Sequence, residues 1–207
     1  MKIVFFGDSI TDMARNPNQD FTVGSYGYGY PIFVTGELHY NEPQKHEIIN
    51  RGISGNRIVD LYARIKKDVW NLQPDVLSIL IGINDIWHEL DFQNGVDLER
   101  WEKMYRMLIE DTKKVLPDLK IIVCEPFVLK GTATEEKFEE FLQVKEYAKV
   151  AKKIAEDYDL AFLPLQEKFD KAAEENGAAY YLYDGVHPSV AGAKLIAEEW
   201  LKLFKTI

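Results

Sequence analysis

Short runs that are apolar at almost every position, each followed by a polar cluster and then by a longer stretch with helical spacing, constrain this chain more than any other feature. Ile3-Val4-Phe5-Phe6 is the first run, and Glu47-Ile48-Ile49-Asn50, Val76 to Ile81, Lys120 to Cys124 and Leu160 to Leu163 follow it. A strand without polar alternation has to be covered on both faces, which is the situation of parallel strands in an α/β sheet. The stretches between supply the covering helices: Pro31 to His39, Arg57 to Trp70, Asp97 to Leu116, Thr134 to Tyr158, and a last one starting at Pro188. In the third of these, Leu98, Trp101, Tyr105, Leu108, Thr112 and Val115 recur on one stripe, and Pro117 stops it. The last is expected to hold Pro188 in its first turn and to bury Val190, Ala193, Ala197, Trp200 and Phe204. The alternation predicts a three-layer α/β/α fold with five parallel strands in the flavodoxin-like order 2-1-3-4-5. A length of 207 residues suits one such domain spanning residues 1–207, with enough core to need no disulfide or metal staple.

The formal net charge of −9 repels phosphate backbones and anionic bilayers. Nucleic acid and membrane are therefore not expected partners, whereas a neutral small molecule is unaffected. The one cysteine, Cys124, excludes an internal disulfide, and its setting in Ile121-Ile122-Val123-Cys124 reads as a buried structural thiol. Met1 to Phe6 is too short for a signal peptide, and no stretch approaches the ~20 apolar residues of a membrane span, so a cytoplasmic location is expected. The composition leaves a homo-oligomer open.

In an open parallel sheet, ligands bind beyond the carboxyl ends of the strands. Gly7-Asp8-Ser9-Ile10-Thr11-Asp12 follows the first strand, Arg51-Gly52-Ile53-Ser54-Gly55-Asn56 the second and Gly82-Ile83-Asn84-Asp85 the third; Asp184-Gly185-Val186-His187-Pro188 precedes the last helix. These four clusters converge on one edge and carry the parts of acyl transfer. A serine hydroxyl needs a base, histidine serves near neutral pH, and a carboxylate fixes the imidazole tautomer. Backbone N–H groups at glycine and an asparagine amide can hold a developing oxyanion. Singly, each residue has a plainer role: Ser9 and His187 as helix caps, Asp184 and Gly55 as turn residues, Asn84 as an Asx-turn former. Their joint placement at strand ends favours the catalytic set. His39, His46 and His88 lack such a context and read as solvated surface. Asp8, Asp12 and Asp85 read as acceptors for loop backbone in preference to metal ligands.

Gly7-Asp8-Ser9-Ile10-Thr11 resembles the first sequence block of the GDSL, or SGNH, hydrolases, and Ile53-Ser54-Gly55-Asn56, Gly82-Ile83-Asn84-Asp85 and Asp184-Gly185-Val186-His187-Pro188 resemble the other three, in the family's order. The resemblance implies the flavodoxin-like SGNH fold and ester hydrolysis with no metal or other cofactor. It implies Ser9 as nucleophile, His187 as base and Asp184 as its partner. The oxyanion hole would be built from the N–H groups of Ser9 and Gly55 and the amide of Asn84. Asn56 stands where many members have Asp, and Ile83 where Thr or Gly is common; both departures are expected to touch only the pocket wall. The blocks around Gly55, Asn84 and His187-Pro188-Ser189-Val190-Ala191-Gly192 are similar to bacterial intracellular acetylxylan esterases, which implies an acetylated sugar as substrate. Other short-chain esters, thioesters and lysophospholipids are the alternatives. Tyr26, Tyr28 and Tyr30 after the nucleophile block, Trp87 on the loop after Asn84, and Tyr183 before Asp184 are aromatic faces suited to stacking on a sugar or to packing their own loops. Asp8, Tyr26, Trp87 and Tyr183 are the candidate substrate contacts.

Overall fold

The computed structural model describes residues 1–207. Its strands are β1 (Lys2–Gly7), β2 (Glu47–Gly52), β3 (Val76–Leu80), β4 (Lys120–Cys124) and β5 (Ala161–Leu163). They form one parallel sheet in the order β2-β1-β3-β4-β5, as the apolar runs predict. The connecting helices are α1 (Ser9–Asp12), α2 (Tyr30–Asn41), α3 (Ile58–Asp68), α4 (Ile83–Phe92) and α5 (Leu98–Val115), then α6 (Phe138–Phe141), α7 (Val144–Asp157), α8 (Gln166–Asn176), α9 (Ala178–Tyr181) and α10 (Val190–Phe204).

This strand order determines where a ligand can sit. The chain steps from β1 to β2 in one direction along the sheet and from β2 to β5 in the other. Right-handed crossovers then send the first helix to one face and the following helices to the opposite face. Accordingly α2 packs against α10, whereas α3 packs against α5 and α5 against α7. Between β1 and β3 the winding reverses, leaving a crevice beyond their carboxyl ends. Ile3, Val4, Phe5 and Phe6 are fully buried, as a strand covered on both faces requires, and they belong to one continuous cluster of 51 buried core residues. The Trp200 indole N–H donates to Ser78 Oγ at 3.0 Å, so the polar atom of a buried side chain is satisfied inside that core. Cys124 is buried and its thiol is pushed up to about 12 by desolvation, which fits an unreactive structural residue.

Several elements differ from the sequence reading, each for a local reason. Gly82-Ile83-Asn84-Asp85 opens a helix instead of a loop, so Trp87 lies on α4. Residues 134–158 do not form one helix. Thr134 Oγ accepts from Gly131 N–H and donates to the Leu129 carbonyl, which commits it to the preceding loop; α7 begins only at Val144. Pro188 pairs with Leu182 in an isolated bridge, and Ser189 is the residue that caps α10, accepting from Gly192 N–H at 3.2 Å. Val190 at 73% exposure and Val115 at 46% therefore face outward, at the first and last positions of their helices, instead of joining the core. Residues 166–181, not assigned from the sequence, form α8 and α9, separated by Gly177 at φ 86°.

Candidate active site

Ser9 stands at the first position of α1, immediately beyond β1, and Asp8, not Ser9, is the N-cap. The Asp8 carboxylate accepts from Ile10 N–H at 3.0 Å. That cap leaves the Ser9 hydroxyl free to turn outward, where its Oγ lies 2.8 Å from His187 Nε2. His187 Nδ1 in turn lies 2.6 Å from Asp184 Oδ2, and the other Asp184 oxygen accepts from the N–H groups of Val186 and His187 at 2.9 and 2.7 Å. Burial pushes the Asp184 carboxyl up, but the bonds from the His187 ring and from these two N–H groups outweigh it and leave it below the usual carboxylate range. The carboxylate is therefore ionised at neutral pH and fixes the proton of His187 on Nδ1, which leaves Nε2 as the acceptor for the Ser9 proton.

The loop carrying Asp184 and His187 is clamped from behind. Leu129 N–H donates to the Gly185 carbonyl at 2.8 Å, and Ala133 N–H to the Asp184 carbonyl at 2.9 Å. Gly185 sits at φ 98°, and a Cβ there would lie 2.5 Å from Thr134 Oγ and 2.6 Å from the Leu129 carbonyl. Only glycine fits. This clamp is a part of the site that the sequence reading missed, because residues 128–134 carry no recognisable motif of their own.

Gly55 and Asn84 line the same cleft as Ser9. Ser9, Ser54, Gly55, Asn84, Trp87, His88, Asp91, Phe92 and His187 line one open cleft of about 400 Å³. Gly55 lies at φ 80° in the turn after β2, and its N–H donates to no backbone or side-chain acceptor of the protein. The Ser9 N–H, at the first position of a helix, has no intrahelical acceptor either. Asn84 is 5% exposed in the first turn of α4, and its Nδ2 donates one hydrogen to the Asn56 carbonyl at 3.2 Å. The second hydrogen of that amide remains for a ligand. Asp85 ties the helices together, its carboxylate accepting from Ile58 N–H at 3.0 Å. Arg64, which no motif flagged, braces two strand ends and the second block at once. It donates to the carbonyls of Gly7 and Arg51 and to Asn56 Oδ1, and its guanidinium lies 4.4 Å over the Phe6 ring.

Some candidates stand elsewhere. Tyr26 is 8% exposed and Tyr30 fully buried, both within the core cluster, so neither ring offers a free face to a sugar. Asp8 is 1% exposed and does not line the cleft, so it is a cap and not a substrate contact. The expectation of backbone-binding aspartates holds for Asp8 and Asp85, and also for Asp12, which accepts from Ser54 N–H and Oγ. Trp87 and Tyr183 do stand beside the imidazole. Their ring centroids lie 6.1 and 5.9 Å from that of His187, with Tyr183 nearly parallel to it at 17°. His39 is exposed as expected, but His46 keeps only 4% of its side chain exposed and packs edge-on against Phe204. His88 lines the cleft, one helical turn beyond Asn84, so it too is not plain surface. Of the two departures in the sequence blocks, Ile83 is 1% exposed in the core, and Asn56 anchors Asn84 through its carbonyl instead of forming wall.

Asp8 yields a stability prediction. Desolvation pushes its carboxyl up to about 7, and its Oδ2 is buried without a partner. Between the unfolded value and about 7 the native state holds the proton more tightly than the unfolded chain, so this residue's contribution to stability falls as pH rises through that window. The loss from pH 5.5 to pH 8 is about 2 kcal/mol for a shift of this size. Asp8→Asn should flatten the pH dependence of urea denaturation midpoints over that range. Parallel profiles for variant and wild type would show that Asp8 ionises normally.

The comparisons with known proteins agree with this geometry. Residues 5–195 match the GDSL-like lipase/acylhydrolase family. The chain is 35% identical to an acetylxylan esterase of Geobacillus stearothermophilus, over 97% of this chain and 92% of that one. A crystal structure of a Geobacillus stearothermophilus acetylxylan esterase superposes with a TM-score of 0.86 at 35% identity, covering 98% of this chain and 93% of the other. Its catalytic mutants replace a serine, an aspartate and a histidine by alanine. A GDSL-like protein of Parabacteroides merdae superposes with a TM-score of 0.93 at 39% identity, covering 100% and 96%. A GDSL esterase/lipase of Arabidopsis thaliana is 24% identical over 99% of this chain and 86% of its own. The crevice at the winding reversal and the ordered sequence blocks thus meet in one assignment: the chain belongs to the GDSL-like lipase/acylhydrolase family and is a carboxylic ester hydrolase.

Proposed function

We propose that the chain removes acetyl groups from carbohydrate hydroxyls, such as those of acetylated xylo-oligosaccharides, by way of an acyl-enzyme on Ser9. The observation that carries the chemistry is the relay from Asp184 through His187 to Ser9, with contacts of 2.6 and 2.8 Å. Ser9 Oγ attacks the acetyl carbonyl as His187 Nε2 takes its proton. The resulting oxyanion accepts from the N–H groups of Ser9 and Gly55 and from the amide of Asn84. Collapse of the intermediate breaks the ester C–O bond, and His187 returns the proton to the departing sugar oxygen. Water, deprotonated by the same imidazole, then attacks the acetyl-serine carbonyl; the acetyl C–Oγ bond breaks, His187 returns the proton to Ser9 Oγ, and acetate leaves. The sugar is supported by the similarity to an acetylxylan esterase and by the Trp87 and Tyr183 rings beside the imidazole. The continuous core cluster supports reading the whole chain as one domain.

Acetate release from acetylated xylo-oligosaccharides, set against p-nitrophenyl acetate and octanoate, tests the reading. Where the Trp87 ring bounds the acyl pocket, a rigid wall discriminates by ~1–3 kcal/mol, so acetate esters should be preferred about ten- to a hundredfold. Trp87→Ala should narrow that preference. Octanoate hydrolysed faster than acetate would sink the deacetylase reading and favour a general lipase. Activity is expected to survive EDTA and to be lost on labelling Ser9 with a phosphonate; loss in EDTA restored by zinc or manganese would overturn the serine mechanism.

A further inference from the structure

We propose that Asp91 is a positioning residue that latches the Trp87 indole in the cleft and thereby tunes which acyl chain Ser9 accepts. The proposal rests on the deacetylase reading of that cleft. Asn84, Trp87, His88 and Asp91 recur at helical spacing and all line it, so one face of α4 forms its wall. The Trp87 Nε1–H donates to Asp91 Oδ2 at 2.8 Å. Asp91 Oδ1 accepts from Lys137 Nζ at 2.9 Å, and Lys137 also donates to the Leu90 carbonyl at 2.9 Å. Lys137 comes from the turn before α6, so the carboxylate is steered from a separate segment. The indole packs nearly perpendicular to Phe141, itself 2% exposed, with ring centroids 5.7 Å apart and planes at 83°. The indole is thus held by its N–H and by the Phe141 ring, with its centroid 6.1 Å from that of the His187 imidazole.

Helix stability does not account for Asp91. A carboxylate in the last turn of a helix opposes the macrodipole, and an exposed ion pair adds little to a fold. A tethered indole does explain it, because without the N–H acceptor a partly buried tryptophan at the cleft surface regains other rotamers and the wall beside Ser9 becomes compliant.

The test combines Asp91→Ala, Trp87→Phe and the double variant with two readouts: the ratio of kcat/KM for acetate to octanoate esters, and hydrogen exchange of the Trp87 indole N–H, whose NMR signal is the one lost in Trp87→Phe. Asp91→Ala should lower the ratio about two- to tenfold, the worth of one net hydrogen bond, and speed the exchange, with the melting temperature nearly unchanged. In the Trp87→Phe background it should leave the ratio as it is. An unchanged ratio, an unchanged exchange rate, or an equal loss of ratio in the Trp87→Phe background each overturns the latch. A wild type that hydrolyses octanoate esters faster than acetate esters would overturn the deacetylase reading, while a ratio that still falls in Asp91→Ala with faster indole exchange would support the latch.

Discussion

Replacing Ser9 by alanine is expected to lower kcat/KM for an acetate ester by about 10⁴-fold or more while leaving the fold intact. The size follows from the chemistry, since no other hydroxyl stands where Nε2 of His187 can take its proton at 2.8 Å. The indifference of the fold follows from the same geometry. The hydroxyl makes one partly buried bond to the imidazole, whereas the helix it begins is capped by Asp8. Residual turnover should come from the remaining oxyanion donors, with water attacking directly, and should show no burst of p-nitrophenol. His187→Ala and the double variant with Ser9→Ala should cost about as much as either single change, because the residues act as a unit. Additive losses, or activity within tenfold of wild type in Ser9→Ala, would remove Ser9 from the mechanism.

Three of the site residues legible in the sequence share a physical property: they lie in the polar clusters that follow apolar strands. A parallel strand declares itself by its run of apolar residues, and the sheet's winding rules then place the polar cluster that follows it. These rules bring Ser9, Gly55 and Asn84 to one sheet edge, and a spacing that one turn can close brings Asp184 to His187. The surroundings were less legible because their signals are tertiary. α4 begins with glycine and asparagine, which favour turns, although Ile83, Ile86 and Leu90 carry a helical stripe beneath them. In α8 the buried stripe reduces to Phe169, which leaves no period to detect. The tyrosines after Ser9 carry both a ring and a hydroxyl, and nothing local decides between packing and stacking. Tyr30 goes inward because Phe5 meets its ring edge-on and Thr11 Oγ lies 3.2 Å from its hydroxyl. Arg64 reads as an ordinary helical charge until its acceptors, scattered over residues 7, 51 and 56, come together in the fold.

Asn84→Ala is expected to lower kcat by about 10²–10³-fold, ~3–4 kcal/mol of transition-state stabilisation, with KM changed little. The side chain is preorganised for this. The residue is 5% exposed, its amide is oriented by the Asn56 carbonyl at 3.2 Å, and it sits in the first turn of α4, where the helix dipole favours an anion. A ground-state carbonyl oxygen is a weak acceptor, whereas the tetrahedral oxyanion carries a charge in a partly desolvated cleft; the amide therefore acts mainly on the transition state. Asn84→Asp sharpens the argument. The carboxylate is nearly isosteric but replaces the donor with a second negative charge, so it should be slower than the alanine variant at neutral pH, and its rate relative to wild type at the same pH should rise as the pH falls. Both variants should keep the wild-type melting temperature in the absence of ligand if the pocket is unperturbed. A large rise in KM at constant kcat would instead make Asn84 a residue that binds the substrate without stabilising its oxyanion.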